Sequence, residues 1–246
     1  MPVFDIHSYL GGSLIPGLAA NTAHVTQAMQ ERAIDGAMLI SARAREVDPL
    51  AGNRILKAMV EQSPALVGCL VTHTNRAEAS ITVMRELMTF RKFVAMLLVG
   101  PTADEPVQKV LADDILNAYR RFGKPLFLYA PNAAAVSFAL EIARGYPMLR
   151  VVLLGMGGRD WRSAVAAAHA ATNVLLETSG AMDRAKLPAA AQAVGAHRIV
   201  FGSGTPTTDA GAAMGLVEDS RLSAETRELI LGVNARRLLG LEEDAG

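Results

Sequence analysis

Short, apolar, β-prone runs alternate eight times with longer stretches of helical period along this chain, and few architectures tolerate that pattern. The strand candidates lie at 3–7, 37–41, 66–72, 93–99, 125–129, 150–154, 173–177 and 198–202. Between them, helices are expected to open near Thr22, Pro49, Arg76, Pro106, Ala133, Trp161, Ala185 and Asp209. Most of these strands are apolar on both faces, which is the pattern of a parallel sheet buried under helices. Such a sheet either closes into a barrel or stays open and doubly wound. The open form commonly carries a glycine-rich G-x-G-x-x-G turn after its first strand, whereas Ser8, Tyr9, Leu10, Gly11 and Gly12 stand there in this chain. The expected architecture is therefore a single (β/α)8 TIM barrel of the α/β class over residues 1–246, a length typical of one such barrel.

Helical periodicity adds detail. Ala23, Val25, Ala28, Met29, Ala33 and Ile34 form an apolar stripe on the first helix, with Gln27, Gln30 and Glu31 facing water. A further helix is expected over 224–239, N-capped by Ser223, with Glu225 in its first turn and Gly240 at its end, as a C-terminal cover.

Hydrophobic residues make up 51% of the chain and charged ones 20%, so a large core can be buried. Lys plus Arg and Asp plus Glu are balanced at 24 each. That balance supplies no positive field for nucleic acid or anionic lipid, and neither is expected as a partner. No stretch reaches the roughly 18 apolar residues of a membrane span, and the N-terminus has no basic segment followed by a long apolar one. The lone cysteine, Cys69, sits in an apolar run and reads as a buried small hydrophobe. A cytoplasmic protein fits these features.

Six segments resemble motifs of the amidohydrolase-related family of metal-dependent hydrolases and decarboxylases, in order and across nearly the whole chain. FDIHSYLGG (4–12) is similar to the family's D-x-H-x-H-x-G, LFLYAP (126–131) to L-x-x-H-A, and VVLLGMGG (151–158) to V-I-x-x-H-x-G-G. NVLLETSG (173–180) resembles N-V-Y-x-D-T-S-G, RIVFGSGTP (198–206) resembles R-I-x-F-G-S-D-x-P, and LGVNARRLLGL (231–241) resembles the closing G-x-N-A-x-R-L-x-x-L.

This resemblance implies a divalent metal held by two histidines after the first strand, one after the fifth and an aspartate after the eighth, with an assisting histidine after the sixth. A metal-bound water would then be the nucleophile, its pKa lowered from about 15.7 toward about 7. Here His7 keeps the first ligand position, while Tyr9, Tyr129 and Gly204 occupy the other three and Gly155 replaces the assisting histidine. Glycine offers no side-chain donor, and a neutral phenol with a pKa of about 10 is a poor ligand at neutral pH. A metal site normally needs at least three protein ligands, so no metal and no cofactor are expected.

In barrels of this kind chemistry sits at the C-terminal ends of the strands. His7, Tyr9 and Tyr129 are the candidate catalytic groups there, or else a relic imidazole and two rings that fill the old metal cavity. Arg43, Arg45 and Arg159 could clamp a carboxylate or phosphate from the rim, or remain solvated. His73, Glu177, Ser203 and Thr205 complete the candidate substrate-binding set, and the Gly157–Gly158 turn could offer backbone N–H groups to an anion. Asp5 is expected to hydrogen-bond within the barrel.

Three functions are compatible with this set. The first is a binding or partner subunit without the family metal, taking a small carboxylated or cyclic ligand and forming a homo-oligomer or a hetero-oligomer with an intact homologue. The second is a metal-free lyase, isomerase or cyclase using His7 with Tyr9 or Tyr129. The third is a metal-dependent hydrolase or decarboxylase with a relocated site built from His7, His73 and Glu177.

Overall fold

A computed structural model describes residues 2–12, 19–102, 105–180 and 183–241. Eight parallel strands form the wall of a (β/α)8 barrel: β1 (Val3–Gly12), β3 (Ile34–Ser41), β4 (Leu66–His73), β5 (Phe93–Val99), β6 (Leu126–Tyr129), β7 (Val151–Leu154), β8 (Val174–Glu177) and β9 (Ile199–Val200). The two-residue β2 (Ala19–Ala20) lies outside this set and pairs antiparallel with the Gly11–Gly12 end of β1. The wall closes between β1 and β9, where Ile6 N–H donates to the Phe201 carbonyl at 3.1 Å and Tyr9 N–H to that of Thr205 at 2.7 Å.

Two apolar layers follow from the period of two along each strand. Phe4, Ile6, Met38, Ile40, Phe127, Leu154 and Val200 fill the barrel interior. Leu39, Leu70, Met96, Leu128, Leu153 and Leu176 face outward against the helices. Cys69 is a fully buried free thiol in the inner layer, and burial pushes its pKa up.

Helices α1 (Thr22–Glu31), α3 (Pro49–Val60), α4 (Ala77–Leu87), α5 (Lys109–Tyr119), α6 (Ala133–Gly145), α7 (Trp161–Ala170), α8 (Lys186–Val194) and α9 (Ala210–Glu218) match the sequence expectations to within a few residues. Asn21, Asp48, Asn132 and Asp209 cap α1, α3, α6 and α9, each side-chain oxygen accepting a first-turn N–H. The apolar stripe of α1 is narrower than periodicity suggests. Val25 and Met29 are buried, but Ala33 adopts a φ of 53°, which ends the helix and places Ile34 in β3.

A short helix absent from the sequence reading, α2 (Ala42–Glu46), follows β3 directly, with Ser41 as its N-cap. The expected helix over 224–239 is α10 (Ala224–Glu228) and α11 (Asn234–Leu239) joined by a π-helical turn, Leu229–Val233. Ser223 caps α10 and Gly240 ends α11 as expected. This segment covers the floor of the barrel. The Ile230 carbonyl accepts from Phe201 N–H, Asn234 Nδ2 donates to the Ala196 and Ile199 carbonyls, and Ala235, Leu238 and Leu239 enter the inner core. Among the described residues no helix is long and apolar enough to cross a membrane.

Candidate functional site

The mouth of the barrel is shaped by an irregularity in β1. Asp5 pairs with Ala37 and Ser8 with Leu39, so Ile6 and His7 together oppose a single residue of β3, as in a β-bulge. Below the bulge Ile6 packs in the inner core, and above it His7 and Tyr9 line a cavity of about 340 Å³. Arg45 from α2, Tyr129 from the end of β6, Pro131, Gly155, Ser179 and Gly204 complete most of its wall.

His7 is held from two sides. Its Nδ1 lies 3.3 Å from Glu177 Oε2, and its ring meets that of Tyr9 edge-on, with centroids 5.1 Å apart and planes at 66°. Nε2 is buried and has no hydrogen-bond partner among the described residues. Glu177, at the end of β8, is fully buried and takes three further hydrogen bonds: from Gly155 N–H at 2.9 Å, Ser179 N–H at 2.6 Å and Ser179 Oγ at 2.7 Å. Asp5 forms a second network, accepting from His7 N–H, Ser8 Oγ, Ser203 N–H and Ser203 Oγ. Ser203 and Thr205 belong to this network, 2.8 Å apart through their hydroxyls, and it ties β1 to the segment after β9.

Arg45 lies beside both tyrosines, its Cζ 5.7 Å from the Tyr9 ring centroid and 5.6 Å from that of Tyr129, and it pairs with Glu46 at 3.2 Å. Desolvation pushes the Tyr9 phenol up to about 12, in spite of the opposing pull of Arg45. Tyr9 therefore keeps its proton at neutral pH and presents a neutral hydroxyl.

The sequence candidates separate accordingly. His7, Tyr9, Arg45 and Tyr129 share the cavity wall, with Glu177 directly behind His7. The three-arginine clamp does not assemble: Arg43 and Arg159 are exposed and outside the cavity lining, because the single turn of α2 carries Arg43 and Arg45 in different directions. His73 is also elsewhere, with its Nε2 on the Ala44 carbonyl at 2.9 Å, so the His7, His73 and Glu177 constellation does not form. The N–H groups of Gly157 and Gly158 are taken by the Ala130 and Gly155 carbonyls, which removes the expected anion-binding turn. Thr207 and Thr208 line the cavity but were not singled out from the sequence, where nothing but their nearness to Gly204 marked them. Ser179, beside Glu177 in the E-T-S-G run, is a carboxylate donor and not a nucleophile paired with a base.

These residues do not fit the metal of the family. Tyr9 is a neutral phenol, Gly155 and Gly204 offer no side chain, and Glu177 Oε1 and Oε2 already take three protein donors besides His7. Among the described residues no group of three or more His, Cys, Asp or Glu side chains could hold a metal ion.

A model of the amidohydrolase family matches residues 19–241, and the chain belongs to that family. Within it, solved structures that share the fold include aromatic-acid decarboxylases. One is 2,6-dihydroxybenzoate decarboxylase from Rhizobium, with a TM-score of 0.82 at 14% identity over 99% of this chain and 100% of that one. Another is 5-carboxyvanillate decarboxylase from Sphingomonas paucimobilis, with a TM-score of 0.79 at 12% identity over 97% of this chain and 99% of the other. The dihydroxybenzoic acid decarboxylase of Polaromonas sp. JS666, solved with manganese and 2-nitroresorcinol, gives a TM-score of 0.79 at 15% identity, covering 98% of each chain. At such identities the likeness establishes the fold alone. A comparison of the sequence with curated proteins gives no match.

Proposed function

We propose that this chain is an amidohydrolase-family barrel without the family metal, acting as a binding or partner subunit for a small carboxylated or cyclic ligand. The observation that carries the reading is the donor set at the mouth: one imidazole and one carboxylate whose two oxygens already receive three other protein donors. The cavity of about 340 Å³ suits a single small ring. Solved relatives named for aromatic acids support that ligand size. Pairing with a second copy or with an intact homologue belongs to the same proposal.

Elemental analysis of the purified protein after dialysis tests it. Zinc, manganese and iron are expected well below one equivalent per chain. One equivalent that survives dialysis and disappears in His7→Ala would overturn the reading.

A second reading, a metal-free lyase, isomerase or cyclase, draws support from the buried His7 Nε2, which has no partner in a residue of the cavity wall. Turnover lost in His7→Ala but untouched by chelator would select it over a pure binding role.

A further inference from the structure

We infer that Glu177 is a positioning residue that holds His7 in the Nδ1–H tautomer and so leaves the lone pair on Nε2. This deepens the metal-free reading of the same cavity and rests on it.

Glu177 receives the Gly155 N–H, the Ser179 N–H and the Ser179 hydroxyl, all of which require it to be an acceptor. A carboxylate accepting from three donors has no proton of its own to give, so the bond at 3.3 Å to His7 must be donated by Nδ1–H. In a neutral imidazole the proton on one nitrogen leaves a lone pair on the other. That other nitrogen is Nε2, which finds no partner among the described residues.

The ring is held from two sides. Tyr9 stands edge-on to it on one side, and Glu177 cannot withdraw because its oxygens are fixed from the segments after β7 and β8. Ser203 Oγ and Asp5 engage the backbone of His7 and not its ring, so no second group competes for Nδ1.

The test is ring 15N spectroscopy of the full chain at pH 8.5, with the His7 signals among the five histidines assigned through His7→Ala. Nδ1 is expected in the protonated range and Nε2 in the unprotonated range. Glu177→Gln should raise the Nε2–H tautomer by tenfold or more relative to wild type, while Ser179→Ala, which keeps the carboxylate, should leave the wild-type pattern.

A wild-type His7 protonated at Nε2 overturns the inference. Because the wild-type spectrum is decisive, misfolding of Glu177→Gln does not blunt the test. A metal bound to His7 would appear in elemental analysis of the same sample, which separates failure of the metal-free reading from failure of the tautomer assignment.

Discussion

Two glycines line the cavity at the mouth of this barrel. Gly155 and Gly204 stand where the family motifs place a histidine and an aspartate, and both have left-handed backbones, with φ of 80° and 74°. Such φ values lie where L-residues are disfavoured. A Cβ at Gly155 would have its nearest neighbour, Tyr129 Cε2, at 3.7 Å, an ordinary contact. Gly155→Ala should consequently lose about 1–2 kcal/mol from backbone conformation alone, measured as a shift in the urea midpoint without a change in slope. Glycine at both positions was legible in the sequence. Their φ values were not, because handedness at a turn is set by the strands and loops it connects.

At the scale of elements, α2 and α3 show how neighbouring segments fix the site. Asn53, buried within α3, donates through Nδ2 to the Pro49 and Val71 carbonyls and accepts from Val71 N–H, so it stitches the helix to β4. Asn53→Ala would leave buried β4 groups unpaired and should cost about 3 kcal/mol in chemical unfolding. His73, at the end of β4, holds α2 through the Ala44 carbonyl, and desolvation lowers its pKa. The folded state thus disfavours protonation relative to the unfolded chain. The contribution of His73 is complete above the unfolded pKa of about 6.5 and is lost as pH falls through the lower folded value. The melting temperature should therefore fall on acidification below about pH 6.5, and less steeply in His73→Gln. Neither α2 nor these links could be read from the sequence, since five residues are too few to show a helical period, whereas the longer helices announced themselves by capping residues and apolar spacing.

Across the whole molecule, the barrel has a sealed floor and an open mouth. Leu238 of α11 is buried in the inner core beneath the strands, and Leu238→Ala should lower stability by about 3 kcal/mol by opening a void there. If the barrel stands without a metal, a chelator has no bound ion to remove, and the melting temperature should be the same with and without it. A drop of several degrees that added zinc or manganese reverses would contradict that expectation.

The eightfold alternation, the apolar strands and the ordered motifs determined the barrel and its family from sequence alone, because burial on both faces of a strand and helical spacing are local properties of the chain. Only the tertiary structure decided which side chains meet. A bulge in β1 turns His7 and Tyr9 into the cavity, Glu177 reaches His7 across 170 positions, and Arg45 faces the tyrosines while Arg43 and Arg159 face water. Those outcomes depend on strand register and barrel closure, which no local pattern of residues encodes.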